Sequence, residues 1–129
     1  MQPSQLTLEE VVAIHIDQLR RYGGLPGVRD WGLLHSAIAM PAATYRGQYL
    51  HTDLHEMAAA YLFHIVQNHP FIDGNKRVGA VAADVFLALN NLQLVAGQGE
   101  YAELVLSVAR GEINKSEVAA FLRANCQST

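Results

Sequence analysis

The chain has 129 residues, half of them hydrophobic, with a formal net charge of −3 and a pI near 6.0. This length and hydrophobic fraction fit one compact domain, so we predict a single domain over residues 1–129. The acidic balance excludes a general electrostatic footprint for nucleic acid.

Membrane and secretion signals are absent from the sequence pattern. No apolar run reaches the ~18 residues of a transmembrane helix, and the chain does not open with a basic stretch followed by an apolar one. The single cysteine, Cys126, lies near the C-terminus, where we predict an incidental tail residue. One thiol cannot form an internal disulfide. We therefore expect a cytoplasmic protein without membrane attachment or direct nucleic-acid binding.

Helical periodicity dominates the chain from its start. The first helix is predicted from about Thr7 to Tyr22, with Thr7 and Glu10 as a capping box, and Gly23-Gly24 ends it. A second helix follows Asp30 and closes at Pro41, with Trp31 predicted to pack at its start.

The rest of the chain continues this pattern. Residues 42–52 have no helical period and predict a loop or a small hairpin. Helices are predicted over about residues 53–68, 76–90 and 100–110, a last one begins at Asn114 with Glu117 in its capping box, and residues 92–95 are extended. Apolar residues cover much of the fourth helix, which predicts a central position. Together these segments predict an all-α fold of about six helices.

The most informative segment is the loop between the third and fourth predicted helices. It reads His69-Pro70-Phe71-Ile72-Asp73-Gly74-Asn75-Lys76-Arg77. Because a helix begins directly after it, unpaired N–H groups and the positive end of the helix dipole favour an anion there. Gly74 has no Cβ and lets a phosphate approach the backbone, and Lys76 and Arg77 add two positive charges. These cations oppose the helix dipole at a cost of about 0.3–1 kcal/mol each, which a bound anion offsets.

His69 and Asp73 supply reactive groups in the same loop. A histidine can take the proton from an attacking hydroxyl near neutral pH. A carboxylate suits a Mg²⁺ ion that bridges phosphates. The loop therefore predicts a phosphoryl-transfer site, with Phe71 as a packing residue that anchors it.

The other histidines have simpler interpretations. His51 and His55 have a spacing that can bind zinc on a helix, but Ala59 stands where a His-Glu-x-x-His motif needs its second histidine. We therefore predict no metal there. His15 and His64 lie near apolar helix faces and are predicted to be structural.

The nine-residue loop resembles the signature of the Fic domain, His-Pro-Phe-x-Asp-Gly-Asn-x-Arg. The lysine before the arginine resembles the death-on-curing (Doc) branch. Further similarity lies in segments 22–30, 33–37, 58–62 and 86–90. The resemblance covers nearly the whole chain and implies a Fic-type helical bundle that acts on ATP with Mg²⁺.

The resemblance also assigns roles to the loop residues. His69 resembles the catalytic base that deprotonates a target hydroxyl, and Asp73 resembles the Mg²⁺ ligand. Phe71 resembles the residue that holds the loop against the core. The family's anion hole, which binds nucleotide phosphates, corresponds to Gly74, Asn75, Lys76 and Arg77. The resemblance also counts Lys76 and Arg77 among the catalytic residues.

The segment from Ala42 to Thr52 lies where the family often has a flap that aligns the target chain. Tyr45 and Tyr49 are candidates for contacts in such a flap. An ordinary packing role is the alternative for both tyrosines.

The resemblance implies that inhibition comes from outside the chain. Many members carry an inhibitory helix with the pattern Ser/Thr-x-x-x-Glu-Gly/Asn. The nearest match is Thr52-x-x-x-Glu56, but Met57 follows it and breaks the pattern. We therefore expect a separate antitoxin protein whose helix occupies a groove beside the loop.

Two positions bear on the reaction. Members that transfer AMP typically have glycine at the position of Lys76 and a second arginine at the position of Ala80. The Doc branch is associated with protein phosphorylation. We favour a toxin that transfers phosphate from Mg-ATP to a hydroxyl of a cellular protein in translation, with elongation factor Tu as the family precedent.

Two alternatives remain open at this point. Gly74 is the residue typical of AMP-transferring members, so AMP transfer by the same site is one of them. The other belongs to a different class, a non-catalytic module that binds a nucleotide or a peptide and regulates a partner. Intact reactive residues in the loop argue against this module.

Overall fold

The computed structural model describes residues 2–129 and is built from helices with two small antiparallel strand pairs. The helices are α1 (Leu8–Tyr22), α2 (Trp31–Ala39), α3 (Leu54–Asn68), α4 (Asn75–Leu89), α5 (Gln98–Ala109) and α6 (Lys115–Ala124). The strands are β1 (Thr44–Tyr45), β2 (Gln48–Tyr49), β3 (Leu92–Leu94) and β4 (Cys126–Ser128). The prediction of an all-α fold with six helices is confirmed. None of these helices combines the length and the apolar character that crossing a bilayer requires.

Polar side chains cap most of the helix starts. The caps of α1, α2, α3 and α6 are Thr7, Asp30, Asp53 and Asn114. Both predicted capping boxes form, at α1 and at α6. Each such cap contributes about 1 kcal/mol to its helix. In contrast, α4 and α5 begin after glycines and have no side-chain cap.

The core is centred on α3. It packs against α2, α4, α5 and α6, and its residues 57–62 are all fully buried. The sequence predicted α4 for this central position. α3 takes it because its small residues 58–60 let neighbouring helices approach from several sides, whereas α4 exposes the face that bears Lys76 and Arg77.

Two local predictions are wrong. Trp31 is 55% exposed, because Leu34 and Ala37 fill the buried face of α2 and the tryptophan at its first position stays outside. Cys126 is a strand residue, paired with Leu94 in the β3–β4 ladder and half-buried. Burial raises the pKa of its thiol above the ordinary value.

The segment between α2 and α3 is a hairpin. Thr44 pairs with Tyr49 across β1 and β2, and the turn residues Arg46 and Gly47 both have positive φ. Two such residues are typical of the tight turns that join short antiparallel strands. Tyr45 is exposed at 62%, whereas Tyr49 is partly buried against the core.

Gly79 of α4 packs closely against α3. A Cβ added there would lie 2.8 Å from Val66 Cγ2 and 3.2 Å from the Leu62 carbonyl oxygen. We expect Gly79→Ala to lower the free energy of unfolding by about 1–3 kcal/mol, because overpacking outweighs the better helix propensity of alanine. Urea unfolding measures this change.

Gly99 of α5 provides the matched control for this substitution. No atom lies within 4 Å of a Cβ built at this position. We expect Gly99→Ala to stabilise the protein by roughly 0.5 kcal/mol through its effect on the unfolded chain. Equal effects of the two substitutions would contradict a close contact between α3 and α4 at Gly79.

Candidate active site

The loop between α3 and α4 is bounded by two left-handed residues. His69 caps α3 with φ of 51°, and Gly74 precedes α4 with φ of 82°. A non-glycine residue in this region costs about 1–3 kcal/mol and persists only where its surroundings hold it. Gly74 pays no such cost, since it lacks a Cβ. The two bends bring both helix ends to one side of the loop.

The loop is anchored from beneath by an aromatic stack. Phe71 is fully buried, and its ring lies 4.0 Å from that of His15 at an interplanar angle of 15°. His15 Nε2 lies 2.9 Å from the Asp73 carbonyl oxygen, and the Phe71 backbone forms a β-bridge with Val28. The structural histidine on α1 thus supports the loop directly, a contact that the sequence prediction did not assign to this site.

Asn75 clamps the loop from within and is itself buried. Its Oδ1 accepts from the Phe71 N–H at 2.9 Å, which fixes the orientation of the amide. Its Nδ2 donates to the Phe71 carbonyl at 3.0 Å and lies 3.1 Å from His69 Nδ1. With the amide so oriented, Nδ1 is the acceptor, and the neutral His69 ring carries its proton on Nε2. The side chain of Asn75 therefore positions His69 and leaves only its backbone N–H for a phosphate.

Arg29 holds the other side of His69. Its Nε donates to the His69 carbonyl at 2.7 Å, and Nη2 donates to the Asn68 carbonyl at 2.9 Å. A guanidinium at these carbonyls also complements the negative end of the α3 dipole. Arg29 belongs to the segment 22–30 that carries the family resemblance, but no sequence pattern predicted this particular contact.

Asp73 stands at the rim of the loop with an ordered carboxylate. Oδ2 accepts from the Leu25 N–H at 3.0 Å, and Oδ1 accepts from the Gly74 N–H at 2.9 Å. These two hydrogen bonds, with a smaller contribution from the charge of Arg77, hold the pKa of Asp73 below its ordinary value. The side chain is therefore ionised at neutral pH, and each oxygen keeps a lone pair for a further ligand.

A cavity of about 410 Å³ lies over the loop. Its wall consists of residues 73–77 together with His69, Val66 and Ala109. The first backbone N–H groups of α4 have no partner within the helix, and its first turn contains no acidic residue. The cavity thus combines an imidazole, a carboxylate and an anion-binding helix end.

The two cations of the cavity wall are both exposed and available to an anion. Neither Lys76 nor Arg77 forms a salt bridge within residues 2–129. Arg77 Nη1 donates to the Gly23 carbonyl at 3.4 Å, and its guanidinium lies 5.0 Å from the centre of the Tyr22 ring. The end of α1 therefore holds Arg77 beside the cavity without neutralising its charge.

The metal-binding groups of the cavity fit a Mg²⁺ ion that also binds phosphates. Asp73 is a single carboxylate, and no group of three potential metal ligands occurs in the described part of the chain. Mg²⁺ commonly uses one or two protein carboxylates and completes its shell with water and substrate phosphates. His51 and His55 likewise belong to no group of three potential metal ligands in the described part of the chain.

The flap candidates lie apart from this cavity. Neither Tyr45 nor Tyr49 contributes to its wall. Tyr45 instead lies under the Arg46 guanidinium, 5.2 Å from the ring centre, and Tyr49 packs on the core. The structure brings together all the predicted loop residues and leaves both tyrosines outside.

Comparisons with known proteins show the family of this chain. The model of the Fic/DOC family matches residues 5–87. A protein of Escherichia phage P1 named "Protein kinase doc" is 40% identical over 115 residues, which cover 89% of this chain and 90% of the phage protein. The chain belongs to the Fic/DOC family. "Toxin Doc" of Mycolicibacterium smegmatis is 45% identical over 75 residues, which cover 58% of each protein.

An apolar groove lies beside Ala80, which follows Arg77 by three residues. The Ala80 carbonyl accepts a hydrogen bond from the Tyr101 hydroxyl at 2.6 Å. The groove has a volume of about 330 Å³ and is lined by Ala80, Tyr101, Val105 and Leu106, with Lys76 and Arg77 at its end. An arginine at position 80 would place its side chain in this space.

Proposed function

We propose that this Fic/DOC protein is a toxin that transfers the γ-phosphate of Mg-ATP to a hydroxyl of a cellular protein. The observation that carries the proposal is the cavity in which His69 and Asp73 face the cationic start of α4. The name of the phage P1 relative, a protein kinase, supports phosphate transfer. The name of the mycobacterial relative supports the role as a toxin.

The reaction needs a base, a phosphate clamp and a leaving group. The target oxygen attacks the γ-phosphorus, its proton passes to His69, and the bond from the γ-phosphorus to the bridging oxygen breaks to release ADP. Mg²⁺ held by Asp73 would neutralise phosphate charge. Lys76, Arg77 and the N–H groups of α4 bind and orient the phosphates. Nε2 carries the proton of the neutral ring, so Nδ1 takes the new proton, and the contact with Asn75 that orients the ring beforehand then breaks.

AMP transfer is the second candidate, because Gly74 is typical of members with that activity. The backbone offers another reason for this residue. At φ of 82° an alanine would be strained, although its Cβ would make only an ordinary contact, 3.6 Å from the His15 ring. The conformation alone accounts for Gly74, which weakens it as a signal of AMP transfer. Lys76 and Ala80 remain as the positions that favour phosphate transfer.

Labelled nucleotides distinguish the two reactions. The purified chain is incubated with bacterial lysate and either γ-labelled or α-labelled ATP. We expect protein-bound label from γ-labelled ATP only, and no such label with a His69→Ala variant. Label from the α-position alone would make the protein an AMP transferase, and label from neither nucleotide would refute both reactions. A translation factor, elongation factor Tu first, is the proposed target, and mass spectrometry of the labelled band tests it.

We propose that the apolar groove beside Lys76 and Arg77 receives a helix of a separate antitoxin. Its lining surface is largely apolar and also includes Lys76 and Arg77, so an amphipathic helix with an acidic residue fits in shape and charge. Such a helix would cover the phosphate-binding residues. This arrangement would restrain the site without an inhibitory segment in the chain itself.

Leu106 provides a test of this groove, since it is 36% exposed and does not line the cavity over the reactive loop. We expect Leu106→Glu to weaken the antitoxin complex at least about tenfold, because a charge would be buried against an apolar helix face. The transfer reaction should be unchanged. Growth rescue by the product of the adjacent gene, and its affinity by calorimetry, measure the effect.

Val95→Glu is the control, since Val95 is exposed at 49% and lies outside the groove. This variant should bind the antitoxin like the unmodified chain. If Leu106→Glu is rescued as fully as Val95→Glu, the antitoxin binds elsewhere.

A further inference from the structure

His15 reaches the reactive loop from α1 and meets it at three places. Its ring stacks on that of Phe71 with 4.0 Å between the ring centres, and Nε2 lies 2.9 Å from the Asp73 carbonyl oxygen. A Cβ built on Gly74 would lie 3.6 Å from Cδ2 of the same ring. His15 is only 3% exposed and does not line the cavity over the loop. The ring therefore lies beneath Asp73 and Gly74, without access to a bound nucleotide.

The contact between His15 and Asp73 has a defined direction. A carbonyl oxygen can only accept a hydrogen bond, so Nε2 of His15 carries a proton and is the donor. The ring thus combines two contributions, packing on Phe71 and one N–H at its edge. Phenylalanine would supply only the packing, so substitution can separate the two contributions.

This hydrogen bond bears on the orientation of the peptide group between Asp73 and Gly74. The peptide bond is trans, so its C=O and its N–H point in opposite directions. With the carbonyl directed at His15, the Gly74 N–H points away from that ring and donates to Asp73 Oδ1 at 2.9 Å. The orientation of one carboxylate oxygen is therefore linked to a histidine in another helix.

The local backbone does not decide this orientation by itself. Turning the peptide over changes mainly ψ of Asp73 and φ of Gly74, and glycine adopts positive and negative φ about equally readily. In the reversed orientation, the carbonyl oxygen would take the place of the N–H beside the Asp73 carboxylate and would repel it. Gly74 has φ of 82°, the value that accompanies the hydrogen bond to His15. His15 supplies the tertiary contact that selects this orientation.

We propose that His15 is a positioning residue, which fixes the Asp73–Gly74 peptide and thereby holds the Asp73 carboxylate in place for Mg²⁺. Its effect on phosphate transfer rests on the proposed function. Oδ2 accepts separately from the Leu25 N–H, so loss of the His15 donor would release Oδ1 and leave the side chain tethered. The loop would stay folded, because Arg29 keeps its own hydrogen bonds to the end of α3. The expected defect is therefore weaker binding of the metal.

Two substitutions of His15 test this role in the full chain, in the His69→Ala background, which removes the proposed toxicity. His15→Phe keeps an aromatic ring on Phe71 without the donor. His15→Gln restores an N–H at the same number of bonds from the backbone. Calorimetry measures the affinity for ATP with and without Mg²⁺. We expect His15→Phe to bind Mg-ATP about tenfold or more weakly with metal-free ATP unaffected, and His15→Gln to recover most of the loss.

Val11→Ala is the matched control, since Val11 is fully buried on α1 one turn before His15. This variant should be less stable and should bind Mg-ATP with the normal affinity. The positioning role is overturned if His15→Phe binds Mg-ATP as tightly as Val11→Ala does. An equal loss for Mg-ATP and for metal-free ATP would also contradict it, because that result indicates a general disturbance of the loop.

NMR of the nucleotide-free protein separates this proposal from the proposed function. The distance from the Asp73 Hα to the Gly74 amide proton depends on the orientation of their peptide. Their nuclear Overhauser signal should therefore change in His15→Phe and stay normal in Val11→Ala. An unchanged signal in His15→Phe would show that His15 does not fix the peptide. If the chain with His15 intact binds no Mg-ATP, the proposed function fails, and the signal still decides whether His15 orients the peptide.

Discussion

Replacing His69 by alanine should lower the rate of phosphate transfer by about 10²–10⁴-fold, the usual contribution of a positioned base. The lower rate should reflect the chemical step and not a loss of folding stability. The His69 side chain is exposed at the end of α3, and Phe71 and Arg29 hold the loop through contacts that do not use the imidazole. Single-turnover transfer from γ-labelled ATP measures the rate, and thermal unfolding reports on the fold.

His35 provides the control for this substitution. It is an exposed histidine on α2 and lies outside the cavity. His35→Ala should transfer phosphate at the normal rate and remain toxic. If His69→Ala is as toxic as His35→Ala, the protein acts as a non-catalytic module that binds its partner, and the transferase proposal fails.

Asn75→Ala is expected to reduce transfer at least about 100-fold, although this side chain is buried. Its amide fixes both the Phe71 backbone and the His69 ring, and misplacing a reactive group by about 1 Å can cost 10²-fold in rate. The buried Phe71 N–H and carbonyl would also lose their partner, at about 1–3 kcal/mol for each unpaired group. Transfer assays and urea unfolding of the same preparation measure both effects.

Asn125→Ala separates the effect on positioning from the effect on stability. Asn125 Nδ2 donates to the Phe121 carbonyl at 2.8 Å near the end of α6, away from the reactive loop. This variant should lose about 1 kcal/mol of stability with no loss of transfer. An Asn75→Ala protein that is destabilised to a similar degree but reacts normally would show that Asn75 does not position His69.

The helices were predictable because their signals are local. Thr7 with Glu10, and Asn114 with Glu117, form the capping boxes that their spacing predicts. The pairing of β3 with β4 could not be predicted in this way, since it joins segments more than thirty residues apart and depends on how α4 and α6 each pack against α3. The exposure of Trp31 likewise follows from tertiary packing, which residue type alone does not reveal.

In the candidate site, too, some residues are revealed by the local sequence and others only by the fold. The reactive residues follow one another in the chain, so the motif reveals them. Their supports come from elsewhere: His15 lies under the loop from α1, and Arg29 reaches it from the segment before α2. The motif also places Asn75 among phosphate-binding residues, whereas its amide is occupied within the loop. Only the fold reveals which polar groups are already engaged.

The uncapped start of α4 links substrate binding to folding. A phosphate oxygen would accept hydrogen bonds from the first N–H groups of α4, as the capping side chains do at α1, α2, α3 and α6, and would relieve the repulsion of two adjacent cations. Nucleotide occupancy and order in the first turn of α4 would then be coupled. Saturating nucleotide, at about 100 times Kd, adds roughly 2.7 kcal/mol to stability. Amide exchange at Lys76 and Arg77 should slow accordingly, so the cellular supply of nucleotide would determine how much of the protein has a complete active site.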